Sequence, residues 1–193
     1  TYYVTVTDTL GCTVNDSITI NDPTQLSLTM SQSDVSCNGG SDGEGVVTPL
    51  GGTPDYTYLW NNTDNDSIAD NVSSGTYTVI VTDSNGCFEN GSVTITQPSL
   101  LTILITSTNV SCNGGSDGEA IVTPTGGTLP FTYLWSNADA DSVAGILAAG
   151  TYMVTVTDSL GCSVVDSVTI TEPQPLDFTF SQTDVSCNGG NDG

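Results

Sequence analysis

The chain has 193 residues and carries 22 Asp and Glu against no Lys, Arg or His, a formal charge of −22. No side-chain ion pair can form, and binding to nucleic-acid phosphates or to an anionic membrane, which rests on Lys and Arg, is excluded. Intrinsic disorder, the usual outcome of such a charge, is excluded in turn by regular apolar alternation, two Trp and seven Tyr.

Taken in chain order, the sequence repeats itself every 75 residues, so the repeat must be settled before the fold. Residues 1–22, with "TYYVTVTD" and Cys12, read as the last two strands, F and G, of a repeat. Residues 24–97 form a whole repeat: strand A (about 26 to 34), the loop "DVSCNGGSDGE" with Cys37, then B (44 to 49), C (56 to 60), E (about 68 to 72), F (76 to 82) and G (91 to 96). Residues 99–172 repeat this pattern, and residues 174–193 hold the first strand and loop of a following repeat. The strands show as period-2 alternation: Tyr56, Tyr58 and Trp60 share one face, as do Tyr77, Val79 and Val81, and Val93 and Ile95. No segment has a helical period. The expected fold is all-β, a series of tandem immunoglobulin-like β-sandwich repeats arranged head to tail, with a Trp on strand C and a Tyr opening strand F after a Gly turn. Because the chain starts in mid-repeat it reads as an excerpt of a longer array, and no signal peptide or membrane span is visible.

The cysteines fall into two series: Cys12, Cys87 and Cys162 in F–G loops, and Cys37, Cys112 and Cys187 in A–B loops. With no C-x-x-C pair and no His, disulfides are expected rather than metal thiolates. In the expected sandwich A and G run the same way, which puts the two loops at opposite ends, about 25 Å apart along a strand. A disulfide needs Cα atoms within about 7 Å. Pairing between successive repeats is therefore favoured, Cys37 with Cys162, while Cys12, Cys87, Cys112 and Cys187 find partners in other repeats. The alternatives are bonds within a repeat, Cys37 to Cys87 and Cys112 to Cys162, or a bond from Cys87 to Cys112.

The A–B loop also gathers oxygen donors, Asp34, Asn38, Ser41, Asp42 and Glu44, and its second copy offers Asn109, Asn113, Ser116, Asp117 and Glu119. Calcium takes six to eight such ligands. A junctional calcium ion is expected on Asp34, Asn38, Asp42, Glu44, Asp117 and Glu119, joined by Asp158 from a facing F–G loop; the alternative is a solvated turn. No catalytic residues are expected, because there is no His or Lys base and no carboxylate pair stands out as a glycosidase would require. Trp60 and Trp135 sit where a sandwich buries its core Trp, so they are expected in the core and not as sugar platforms.

Taken together, "VSCNGGSDGE…GGTPDYTYLW", "SSGTYTVIVTDSNGC" and "GSVTITQP" resemble the SprB repeat, found in tandem in giant cell-surface adhesins and gliding-motility proteins of Bacteroidota. The chain departs from the family's two prolines before strand C, having Pro54 with Asp55 and Leu129 with Pro130. The resemblance implies an extracellular, cell-surface location and a structural role in a filament or adhesin stalk. The partners it implies are neighbouring repeats of the same chain and other copies in a filament; the alternative is an adhesive module that itself binds surface polysaccharide. It also lends weight to O-glycosylation at Asp-(Ser/Thr)-aliphatic triplets, first at Ser67 and Ser142, then at Ser17, Ser167, Ser159 and Thr9.

Overall fold

The computed structural model describes residues 1–193 as fourteen strands and no helix. The chain divides into two compact units, Thr1–Gln97 and Pro98–Gly193.

Unit 1 opens with the hairpin β1 (Tyr2–Thr7) and β2 (Thr13–Ile18), paired from Tyr2 with Ile18 to Thr7 with Thr13. Both faces of this ribbon are exposed. There follow β3 (Ser27–Ser33), β4 (Gly43–Leu50), β5 (Thr57–Trp60), β6 (Ile68–Val72), β7 (Gly75–Thr82) and β8 (Phe88–Ile95). They form two antiparallel sheets, β3-β4-β6 and β5-β7-β8. These are the A-B-E and C-F-G sheets of an immunoglobulin-like sandwich, strand for strand as the alternation predicts.

The alternation becomes burial. Gly43, Gly45 and Val47 of β4, Val79 and Val81 of β7, and Val93 and Ile95 of β8 face inward, and their neighbours face out. Trp60 lies at the centre, 1% exposed, and its indole N–H donates to the Asp66 carbonyl at 2.9 Å. The Tyr77 hydroxyl donates to the Ser73 carbonyl at 3.0 Å, the tyrosine corner that fixes the entry to strand F.

Unit 2 repeats the plan with β9 (Thr102–Thr108), β10 (Gly118–Thr125), β11 (Thr132–Trp135), β12 (Val143–Leu147), β13 (Gly150–Thr157) and β14 (Ser163–Ile170), in sheets β9-β10-β12 and β11-β13-β14. Trp135 is buried and donates to the Asp141 carbonyl at 3.0 Å, and Tyr152 donates to Ala148 at 3.2 Å. The two cores differ at several positions, Val72 of unit 1 being Leu147 in unit 2. A Cβ on Gly45 would sit 2.9 Å from Val93 Cγ1, whereas unit 2 has Ala120 there and its counterpart of Val93, Val168, is only partly buried.

The glycine that opens strand B has a steric reason. A Cβ on Gly118 would lie 2.8 Å from Ile170 Cγ2 and 2.8 Å from the Leu147 carbonyl, and the backbone atom cannot give way. Gly118→Ala should therefore cost unit 2 about 1–3 kcal/mol, the usual penalty of overpacking. A thermal melt unchanged from the parent would refute this.

Residues 174–193 contain no strand. The loop turn still forms, with Gly190 N–H donating to Cys187 at 2.9 Å and Ser186 N–H to Asp192 at 3.1 Å. The strand expected before it does not. In the two full repeats strand A is held by a seven-residue ladder to strand B.

Candidate functional site: two cysteine loops at opposite ends of each unit

The A–B loop of unit 1 is tied to the C-terminal end of strand G. Asp34 accepts the Thr96 N–H at 2.7 Å, Val35 donates its own N–H to the Thr96 carbonyl at 3.0 Å, and the Val35 side chain plugs the core at 2% exposure. Gly39 N–H reaches Gln97 Oε1 at 2.7 Å. Within the loop Asp42 accepts both the N–H and the hydroxyl of Ser36, and Gly40 N–H closes a turn on the Cys37 carbonyl at 2.9 Å. Unit 2 builds the same loop with Asn109 on Thr171 N–H (2.9 Å), Asp117 on Ser111 N–H (2.9 Å) and Glu172 on Gly114 N–H (2.6 Å). Carboxylates and amides thus shape the loop around Cys37 and Cys112.

The F–G loop is organised by a single buried aspartate. Asp83, 5% exposed, takes the Thr53 N–H on Oδ2 at 2.9 Å and the N–H groups of Asn85 (3.0 Å) and Cys87 (2.9 Å) on Oδ1. Asp158 does the same for Thr128, Leu160 and Cys162, at 2.9, 3.0 and 2.9 Å. Gly52 and Gly127 make room: a Cβ on either would stand 3.0 Å from the aspartate Oδ2. Even in the first hairpin Asp8 accepts from Leu10 and Cys12, each at 2.9 Å.

The position of each cysteine follows. Cys37 lies by the end of β8, and Cys87 immediately precedes its first residue, Phe88. Eight strand residues separate the two ends by about 26 Å. A bond within a repeat is therefore out of reach, for Cys37 with Cys87 and equally for Cys112 with Cys162 across β14. Cys37 and Cys162 are half-cystines, while Cys12, Cys87, Cys112 and Cys187 are exposed thiols.

The seven expected calcium ligands are divided between the two units, Asp34, Asn38, Asp42 and Glu44 in the first and Asp117, Glu119 and Asp158 in the second. Asp34, Asp42, Asp117 and Asp158 already accept hydrogen bonds from their own unit. Glu44 and Glu119 belong to strand B, next to inward-facing Gly43 and Gly118, and therefore point to the outer face of the sheet. Asn38 is exposed in its loop. No three Cys, Asp or Glu side chains converge as metal ligands. Among the glycosylation candidates Ser17, Ser167, Ser159 and Thr9 are exposed, while Ser67 and Ser142 are half-buried. The carbonyls of Ser67 and Ser142 accept from Val47 and Val122 at 2.9 Å.

The hydrogen bonds set the ionisation of the loops. The Thr53 N–H, with those of Cys87, Asn85 and Gly86, holds the Asp83 carboxyl below its ordinary value against the opposing effect of burial. For Asp158 burial is the largest influence and pushes upward, but the N–H groups of Thr128, Cys162, Leu160 and Gly161 together outweigh it. The Ser36 hydroxyl and N–H lower Asp42, and Thr96 lowers Asp34. A carboxyl lowered on folding stabilises the fold above its unfolded pKa of about 3.9, and that contribution is lost as pH falls through the folded value. Asp83→Asn should therefore weaken unit 1 most at neutral pH, and the gap from the parent should close below about pH 4. Urea midpoints across that range test it, and a gap independent of pH would contradict it.

The fold and its loops define an immunoglobulin-like repeat module. The model of the SprB repeat matches the chain at residues 29–65 and again at 104–140. No curated protein sequence matches it. Among solved structures it is similar to a Dscam isoform-specificity structure (17% identity, TM-score 0.34, covering 85% of this chain and 52% of that one). It is also similar to a C-terminal intimin fragment in complex with the intimin-binding domain of Tir (14%, 0.42, 78% and 64%) and to an amphioxus IgVJ-C2 molecule (15%, 0.33, 78% and 98%). The chain spans about half the length of that Dscam structure. No helix is long and apolar enough to cross a membrane.

Proposed function

We propose that the chain is part of the shaft of an extracellular filament or giant surface adhesin, in which a disulfide joins the A–B loop of one repeat to the F–G loop of the next. The observation that carries this is the placement of the two cysteine loops at opposite ends of each sandwich, with Cys37 and Cys162 as the half-cystines. Cys37 then pairs with Cys162. By the same rule Cys112 and Cys187 pair with later repeats, and Cys12 and Cys87 with earlier ones. Non-reducing peptide mapping should recover one peptide pair containing Cys37 and Cys162. Recovery of Cys37 with any other cysteine would end the proposal.

Such a shaft would stand at the surface of a cell that glides or adheres, presenting a tip whose ligand lies elsewhere. O-glycans are proposed on Ser67, Ser142, Ser17, Ser167, Ser159 and Thr9, those on Ser17 and Ser167 shielding the edge strand G. The mass of the native protein, compared with the bare polypeptide, tests them. Junctional calcium rests on loop composition alone, and a melt unshifted by a chelator would exclude it. The rival function, polysaccharide binding by the repeats, has lost its two indoles to the cores.

A further inference from the structure

We infer that tension in such an array runs along two interleaved covalent lines made only of A and G strands, leaving the segment from B to F of every repeat out of line. The inference rests on the cysteine pairing proposed above. Its structural basis lies within each unit.

In unit 1 strand A (β3) and strand G (β8) lie side by side and end together, because Val35 donates to Thr96 and Thr96 donates back to Asp34. They are therefore parallel. Unit 2 repeats this with Val110, Thr171 and Asn109. Each A strand carries its cysteine just past its C-terminal end, at Cys37 or Cys112, and each G strand carries its own just before its N-terminal end, at Cys87 or Cys162.

The chain between one F–G cysteine and the next A–B cysteine is then a link: residues 12–37, 87–112 and 162–187. A pull entering along β3 leaves at Cys37, crosses to Cys162 and continues along β14. Residues 38–161 are bypassed on that line. The link 87–112, made of β8 and β9, belongs to the second line, so each repeat lends its A strand to one line and its parallel neighbour G to the other. The strand portions of the links are already extended at about 3.3 Å per residue against a limit near 3.6 Å. They have almost no slack to give, and the buried Trp, the tyrosine corner and the B–F ladders are not asked to carry force.

The test is force-clamp extension of the 193-residue chain held at its termini, oxidised and reduced, with Cys37→Ser as a second way of opening the line. Reduced protein and Cys37→Ser should each show two cooperative releases, one per unit. The oxidised parent should lose both releases at the force that produces them in the reduced chain. If oxidised protein with the Cys37–Cys162 peptide mapped still yields at that same force in a shortened step, β3 or β14 is being torn from its sheet and the inference is wrong. If the mapping does not find that peptide, the pairing has failed, a separate result that removes the basis for the two lines.

Discussion

Trp60→Ala should unfold unit 1 under conditions where unit 2 stays folded. The indole is fully enclosed between the sheets, and truncating a buried Trp typically costs about 3–5 kcal/mol. A sandwich of 75 residues leaves much of its apolar surface uncovered and is only marginally stable, so a loss of that size takes most of what it has. The change also orphans the Asp66 carbonyl, which accepts the indole N–H at 2.9 Å. Trp60→Phe should fall between parent and alanine variant, because it fills much of the space but leaves that carbonyl without its donor. Trp135 remains as the reporter of unit 2, so its fluorescence during urea unfolding should show only the late transition at the parental midpoint, while circular dichroism should show an additional early transition. Coincident parental transitions in the alanine variant would mean that the indole contributes little.

The strands were legible in the sequence because each sheet buries one face, which forces the period-2 spacing of Val79 with Val81 and of Val93 with Ile95. The tyrosine corner was legible for a similar reason, as Tyr77 follows the turn glycine. The acidic loop was not. Asp34, Asp42 and Glu44 read as one cluster along the chain, yet strand B starts at Gly43, and from there alternation turns Glu44 away from the loop. Asp158 reads as a group reaching outward from the F–G turn, but its position just before a short turn lets the carboxylate fold back on three N–H groups. The signal for that role was present in the "T-D-x-x-G-C" stretch, since Asp commonly caps the backbone two residues on.

Reduction, or Cys37→Ser, should lower the stability of both units together. With Cys37 joined to Cys162, the unfolded chain contains a closed loop of about 125 residues, and the chain-entropy account assigns such a cross-link about 5 kcal/mol. Most of that benefit is felt by each unit separately. If unit 1 alone unfolds, its chain from Cys37 to the start of unit 2 is still closed into a loop of about 60 residues, for which the same relation gives about 4 kcal/mol. Reduction should therefore move both urea transitions to lower concentration without changing their slopes appreciably, since the surface exposed by each unit is the same. Cys112→Ser offers the control, because its thiol is exposed and takes no part in the proposed bond of this chain. Equal midpoints for oxidised and reduced protein would show that the cross-link does not restrain the unfolded ensemble, whereas a shift confined to unit 1 would place the partner of Cys37 within Thr1–Gln97.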